Sequence, residues 1–487
     1  MTFTNKLFEK LKLNPSKIWI EVDDKKFTKA HVLYDIEALK EKLSKVQFEK
    51  LRGKIIGIAM KTSYDFVIAD LTCLKEKAIT LPVPLEFEDN QIKSLLKNVE
   101  IVLVNSDSDA KRLKSILPET PIMNIVSSKL FNGGKRYVHK FDIAENIIKI
   151  IHTSGTTSEP KGVLIKDESL NVLIDNLLEI FPKKELSYLS LNPLSLLVEQ
   201  IFAIYSTLLT GGRLTLLPNS VNEFGGYSVD SNVYFDLIRK YQPNFMYLPP
   251  KLLNDLNQFE YLHELANDTY YITGGAKIEH KILRSLDAKG IRVYEGYGLS
   301  ETTSVVSING IDNRRIGTAG KILPHLEYKV INGELLLKGE TLCAGYFTKD
   351  ESSCDIDNDG YLHTGDLVEV DEDRYLTIKG RKKNLLILSN ARNISSEWVE
   401  SKLKEHDEID DCVVIGEGKD FLTAIILTPG TPSIAPIINK INKELPSFAQ
   451  IKSIINIKNS EGFKRKYFTV TGRPKRSIIH KEIYNDL

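Results

Sequence analysis

Short apolar runs at Ile55 to Ala59, Ile79 to Val83, Ile101 to Val104 and Ile147 to Ile151 are the strongest constraint on how this chain folds. Each is too short for a helix, is bounded by polar or turn residues, and reads as a buried strand. Ala30 to Phe48 and Asp65 to Lys77, by contrast, space their apolar residues as a helix does. Strands separated by helices imply an α/β fold with parallel pairing. At 487 residues the chain is too long for one core and predicts two or three domains.

The loop after the fourth run concentrates unusual chemistry. Thr153, Ser154, Gly155, Thr156, Thr157 and Ser158 are followed by Glu159, Pro160, Lys161 and Gly162, then by another apolar run, Val163 to Ile165. Glycines let backbone N–H groups approach a ligand, hydroxyls donate hydrogen bonds and Lys161 adds charge, a combination that suits a polyphosphate. The order is not G-x-x-x-x-G-K-[ST], because the lysine precedes the last glycine and no helix-opening serine follows. The same composition is also that of an ordinary surface turn.

Composition excludes several classes. Sixty-five basic and sixty-five acidic residues cancel, so no global field recruits nucleic acid, and membrane association is peripheral at most. Cys73, Cys343, Cys354 and Cys412 show no metal or redox spacing and read as separate thiols in a reducing compartment. The opening residues Met1 to Lys6 lack an apolar core with a cleavage site, which predicts a cytoplasmic protein. Leu186 to Leu209 is the most apolar region, but Asn192, Pro193, Glu199 and Gln200 interrupt it, so it is no membrane span.

Five later motifs decide how the loop is read. Tyr270 to Ala276 reads as a strand entering a turn at Gly274-Gly275-Ala276, and Tyr294 to Thr303 follows a strand at Ile291 to Val293. Within the second motif, Tyr297-Gly298 precedes Leu299-Ser300-Glu301-Thr302. Tyr297 offers a flat face for a base, Glu301 a hard oxygen for Mg2+, and Thr302 a hydroxyl for phosphate. A core tyrosine, a surface glutamate and a capping threonine are the plainer alternatives. His363-Thr364-Gly365-Asp366 and Gly380-Arg381-Lys382-Lys383 come next, and Thr469 to Arg476 stands near the end. In this order the set resembles the adenylate-forming superfamily of acyl-CoA synthetases, peptide-synthetase adenylation domains and luciferases.

That resemblance implies an α/β protein with a large N-terminal domain of layered sheets and helices, residues 1–382, and a small mobile α+β lid, residues 383–487, hinged at Lys383. It implies ATP and Mg2+ as cofactors. Thr153, Ser154, Gly155, Thr156, Thr157 and Lys161 would hold phosphates, Gly275, Ala276, Tyr297 and Gly298 the adenine, and Thr302 the α-phosphate. Glu301 would bind the metal, Asp366 both ribose hydroxyls, and Arg381 ribose or phosphate. Pro193 to Gln200 is similar to the Pro-Leu-[Ala/Ser]-His-x-x-Glu segment of long-chain fatty acyl members, which places Leu196 and Glu199 at the acyl pocket. Asn393 to Glu400 resembles another segment of those members. Four positions depart from the family: Ser158 stands for glycine, Leu196 for histidine, Ser396 for proline, and Arg473 for the catalytic lysine, with Lys475 as its rival. The implied reaction activates a medium- or long-chain fatty acid or other carboxylic acid to acyl-AMP and transfers it to coenzyme A (CoA) or to the phosphopantetheine of an acyl carrier protein. The alternatives are an enzyme loading another acyl or aminoacyl group on a carrier protein, and a nucleotide-binding relative impaired in catalysis. Glu199 also reads as a buried carboxylate satisfied by neighbouring hydroxyls.

Overall fold

A computed structural model of the chain describes every residue except 47–49, 133–142, 153–160, 225–229, 266–268, 276–277, 348–353, 389–392, 418, 420, 429–432, 447–448, 470–471 and 485–487. The chain divides into two compact units. Residues 1–152, 161–327 and 338–354 belong to the first, and 328–337 and 355–487 to the second.

The four apolar runs form the expected parallel strands. Ile147–His152, Ile79–Pro82, Ile55–Ile58, Ile101–Val104 and Ile122–Asn124 lie side by side in that order, all parallel. Helices form at Lys29–Lys45 and Tyr64–Lys75, near the spans that periodicity predicts. Each begins on a hydroxyl cap: Thr28 Oγ1 accepts from His31 N at 3.2 Å and Ser63 Oγ from Phe66 N at 3.3 Å. Beyond Ile147–His152 the sheet turns antiparallel. Gly162–Lys166 pairs with that strand, placing Val163 opposite Ile151 and Gly162 opposite His152. A Cβ at position 162 would stand 2.7 Å from Ile150 Cγ2, so the hairpin needs glycine there. Thr153, Ser154, Gly155, Thr156, Thr157 and Ser158, between these strands, fall outside the described residues.

Lys149 interrupts the apolar run with a fully buried ammonium. It pairs with Asp70 of the helix Tyr64–Lys75 and donates to Thr80 Oγ1 at 3.1 Å, Thr80 being its neighbour on the adjacent strand. Tyr205 completes the cluster, its hydroxyl donating to Asp70 Oδ2 at 2.7 Å. Buried charge persists only when paired and hydrogen-bonded in this way.

A second sheet of the first unit carries Phe245–Tyr247, Tyr270–Gly274 and Val293–Tyr297 in parallel, followed by antiparallel Ser307–Ile308 and Lys321–Ile322. The third strand runs on to Tyr297 instead of ending at Val293. Glu295, Gly296 and Tyr297 are not an apolar run, and backbone pairing rather than side-chain burial holds them in the sheet. The apolar region after Ser187–Ser190 folds as a helix whose middle, Gln200–Ser206, is π-helical and buried. Among the described residues no helix is long and apolar enough to cross a membrane.

In the second unit, Leu362–Val370 pairs antiparallel with Leu376–Arg381 on one side and with Glu334–Gly339 on the other. A two-stranded hairpin follows, Leu385–Ile387 with Asn393–Ser395, and then a three-stranded sheet of Asp411–Ile415, Leu422–Leu427 and Ile451–Ile457. The helix Ser396–Leu403 buries Val399 and Leu403 against Cys412, Val414 and Ile426 of that sheet. Residues 355–382 belong with this unit, so the compact units do not themselves divide at residue 383.

Cys343 and Cys354 bring their sulfurs close together although their Cα atoms stand 7.5 Å apart, beyond the span of a relaxed disulfide, and Cys73 and Cys412 are free and buried. A separation of 11 residues is no recognised motif, and only the folding of that segment brings the two sulfurs together.

Candidate active site

In the first unit, the neighbouring parallel strands Tyr270–Gly274 and Val293–Tyr297 set Gly274 opposite Gly296. A Cβ on Gly274 would stand 2.5 Å from Gly296 O, and one on Gly298 only 1.5 Å from Ser304 O. Both positions therefore require glycine because backbone passes over them. Gly275, at φ +82°, and Tyr297 sit at the carboxyl ends of adjacent strands, where α/β sheets bind ligands. Ala276 is outside the described residues.

A single 3-10 turn, Ser300–Thr302, presents Glu301. Behind it Thr303 and Ser304 both take positive φ, +58° and +100°, an unusual conformation for side-chain-bearing residues of the kind that clusters at functional sites. Thr302 is buried and its Oγ1 donates to Leu299 O at 3.0 Å, closing the turn. Glu301 Oε1 accepts from Tyr346 Oη at 2.9 Å, and Lys161 Nζ lies 4.8 Å from the centre of the same tyrosine ring. Tyr346 reaches both because its strand, Tyr346–Phe347, pairs with Gly162–Lys166, while Cys343 N just before it donates to Glu301 O at 2.9 Å. Two of the residues singled out in the sequence, Lys161 and Glu301, thus meet on a third that the sequence does not mark. The donor set fits Mg2+: a half-buried carboxylate suffices for an ion that takes one or two carboxylates and completes its shell with phosphate and water. Among the described residues no cluster of three or more His, Cys, Asp or Glu could hold a metal unaided.

Glu199 is fully buried. Tyr188 Oη donates to it at 2.9 Å, Ser190 Oγ at 2.7 Å and Asn192 Nδ2 at 3.0 Å, the pattern of a carboxylate satisfied by hydroxyl and amide partners. Burial nevertheless pushes its carboxyl up to about 7, against the opposing pull of those three donors. Leu194, Leu197, Ile201 and Phe202 are buried, and Phe202 meets Phe181 and Phe245 edge-on with ring centres 5.7 and 5.5 Å apart. These side chains pack as core, and Leu196 beside them is half-buried.

In the second unit, Asp366 and Arg381 face each other across an antiparallel strand pair. Arg381 Nε lies 2.7 Å from Asp366 Oδ1 and Nη2 3.5 Å from Oδ2, with Asp366 buried and Arg381 half-exposed. Glu334 ties the two motifs together, accepting from Gly365 N at 3.1 Å and from Lys382 Nζ at 3.0 Å. Glu397 of the helix Ser396–Leu403 holds the second motif, accepting from Arg381 N at 3.1 Å and Asn384 Nδ2 at 2.7 Å. Lys383 is exposed in the 3-10 turn Lys382–Asn384, between two sheets. Arg473 and Lys475 flank Pro474 on a turn closed by Thr469 N donating to Arg473 O at 2.7 Å and Lys475 N to Tyr467 O at 2.7 Å. Arg476 anchors this turn, its Nη2 donating to Glu400 Oε2 at 2.7 Å while Glu400 Oε1 accepts from Val414 N at 2.7 Å. Glu334 and Tyr346 escaped the sequence reading because neither sits in a recognisable pattern; their partners are 31 and 45 residues away.

Comparison with known proteins covers most of the chain. Residues 19–347 match the family described as AMP-binding enzyme, and residues 383–486 match the AMP-binding enzyme C-terminal domain. A long-chain-fatty-acid–CoA ligase of Mycobacterium bovis is 36% identical over 156 residues, 32% of this chain and 26% of that protein. A 2-succinylbenzoate–CoA ligase of Bacillus cereus is 25% identical over 443 residues, 86% of this chain and 86% of that protein. The o-succinylbenzoate coenzyme A synthetase of Bacillus subtilis, solved with ATP and magnesium ion, is similar in fold with a TM-score of 0.78 at 19% identity, covering 94% of this chain and 96% of that one.

Proposed function

The chain belongs to the AMP-binding enzyme family, and from that premise we propose that it joins a carboxylic acid, a medium- or long-chain fatty acid, to a thiol through an acyl-AMP intermediate. The observation that supports this reading is the meeting of Lys161 and Glu301 on Tyr346, which sets a cation suited to phosphate beside a carboxylate suited to a metal. The acid's oxygen attacks the α-phosphorus of ATP in line, the bond to the bridging oxygen breaks, and pyrophosphate leaves with the electron pair. A thiol then attacks the acyl carbon, and AMP departs. The protein's part is positioning and charge neutralisation.

In this reading Lys161 and the hydroxyls and glycine of residues 153–157 hold the β- and γ-phosphates. Gly275, Ala276, Tyr297 and Gly298 flank the adenine. Asp366 accepts from the ribose hydroxyls, and Arg381, directly across the strand pair, fixes its orientation. Thr302 reaches the α-phosphate by exchanging its bond to Leu299 O. Arg473 neutralises charge at the attacked phosphate, with Lys475 as its rival. Bound Mg2+, held by Glu301, would supply further neutralisation of the phosphates. Residues 383–487 act as a lid turning at Lys383, a reading supported by the exposed turn at that position and by the C-terminal family match beginning there. The acceptor is CoA or a carrier protein's phosphopantetheine, in the cytoplasm.

The partial match to a fatty-acid ligase supports a fatty acid, whereas the longer match to a 2-succinylbenzoate ligase supports an aromatic acid. Pyrophosphate release with a panel of fatty acids and 2-succinylbenzoate tests the choice. Release confined to the fatty acids is the expected result; release with the aromatic acid alone overturns the substrate, and none with any acid overturns the ligase.

A further inference from the structure

We propose that Tyr346 is a positioning residue for the metal and the phosphates, an inference that rests on the reading of Glu301 and Lys161 just given. Its geometry is that of a bracket. The backbone of residues 343–346 is bound on two sides: Cys343 N donates to Glu301 O at 2.9 Å, Ala344 N donates to Leu164 O at 3.0 Å, and Leu164 N donates to Gly345 O at 3.0 Å. Gly345, at φ +134°, lets the chain turn between these contacts in a conformation that other residues rarely adopt. Tyr346 then pairs opposite Val163, two residues after Lys161. From this fixed backbone the side chain uses both of its chemistries: the hydroxyl holds Glu301 Oε1 at 2.9 Å, and the ring face lies 4.8 Å from the Lys161 ammonium.

A carboxylate that accepts a hydrogen bond on one oxygen is restricted in rotation, which orients the other oxygen and lowers the cost of ordering it around an ion. Held against the ring, the ammonium of Lys161 keeps within reach of the same ligand despite its long, exposed side chain. The strand that carries Tyr346 is also the partner of the strand leaving the phosphate loop, so loop and metal ligand share one mechanical support.

Calorimetric titration of ATP into the full chain, in EDTA and across a series of Mg2+ concentrations, separates the two contributions. The parent should bind ATP more tightly as Mg2+ rises. Tyr346→Phe keeps the ring and loses the hydroxyl; it should need about tenfold more Mg2+ for the same gain, with affinity in EDTA and melting temperature unchanged. In a Glu301→Gln background the same substitution should change nothing further. Tyr346→Leu should weaken ATP binding a few-fold in EDTA as well, because Lys161 loses its ring. A Mg2+ dependence of Tyr346→Phe equal to the parent's overturns the proposal, as does an equal loss with and without metal or an effect that persists beside Glu301→Gln. A parent with no Mg2+ dependence overturns the proposal together with the metal role of Glu301. Metal-dependent ATP binding without turnover of any acid leaves Tyr346 in place and rejects only the ligase reading.

Discussion

Glu199 illustrates how one buried side chain couples structure to pH. Its carboxyl rises to about 7 in the folded protein because burial outweighs three hydrogen bonds, while in the unfolded chain it titrates at the ordinary value near 4.5. Below about pH 4.5 the group is protonated in both states and contributes no pH dependence. Between 4.5 and 7 the folded state holds the extra proton, so stability falls as pH rises, and above 7 the full cost is present, about 3 kcal/mol. Glu199→Gln should therefore be more stable than the parent above pH 7, and the difference should vanish toward pH 4.5, as read from urea midpoints at several pH values. Arg473 and Lys475 pose a different question, which of two cations acts. Arginine and lysine are not interchangeable at a tight phosphate site, so Arg473→Ala should lower adenylation by two orders of magnitude or more while Lys475→Ala lowers it less. Thioester formation from supplied acyl-AMP should be far less sensitive to Arg473→Ala. Lys161, Glu301 and Asp366 stood out by residue type and order, as a cation and carboxylates in a recognisable pattern, and the fold sets Lys161 and Glu301 against one tyrosine. Tyr346 and Glu334 were not legible, because their value lies in partners that only the fold supplies.

Elements follow the same division. Apolar runs at 55–58, 79–82, 101–104 and 147–152 became strands as read, because fully buried strands leave an uninterrupted apolar signal. The strand at 293–297 was cut short by reading alone: its last residues contribute backbone, glycine and a polar side chain, none of which marks a strand. Lys149 is the informative exception inside a legible strand. In sequence it looks like a polar interruption, yet in the fold it neutralises Asp70 behind the strand Ile147–His152. Lys149→Met should cost about 3–5 kcal/mol in a chemical denaturation series, because it strands the Asp70 carboxylate without a cation. Adding Asp70→Asn should recover much of that loss; a double variant no better than the single one would show that packing rather than charge sets the cost. Glu400 and Arg476 make a similar tie in the second unit, linking the helix Ser396–Leu403 to the turn that bears Arg473 and Lys475.

At the scale of the whole molecule, the order of the motifs along the chain carried more information than any one of them. A hydroxyl-rich loop is an ordinary turn until a strand-end tyrosine, a glutamate turn, a Thr-Gly-Asp strand and a basic turn follow it in sequence; the loop, the tyrosine and the glutamate fall within the family match over residues 19–347, and the Thr-Gly-Asp strand lies beyond it. Two compact units were foreseeable from length, but their composition was not: residues 328–337 join the second unit through strand pairing that no local pattern specifies. The identity of the acid was the least legible feature. Leu194, Leu197, Ile201 and Phe202, apolar residues at helical spacing, read as core before pocket wall, and they are buried in the fold. The central claim is that the chain forms an acyl-adenylate from ATP and an acid, and acid-dependent exchange of labelled pyrophosphate into ATP, measured without any thiol, tests it most directly. We expect a fatty acid to stimulate exchange in the parent and Glu301→Gln to abolish it; folded, ATP-binding protein that shows no exchange with any acid would contradict the account.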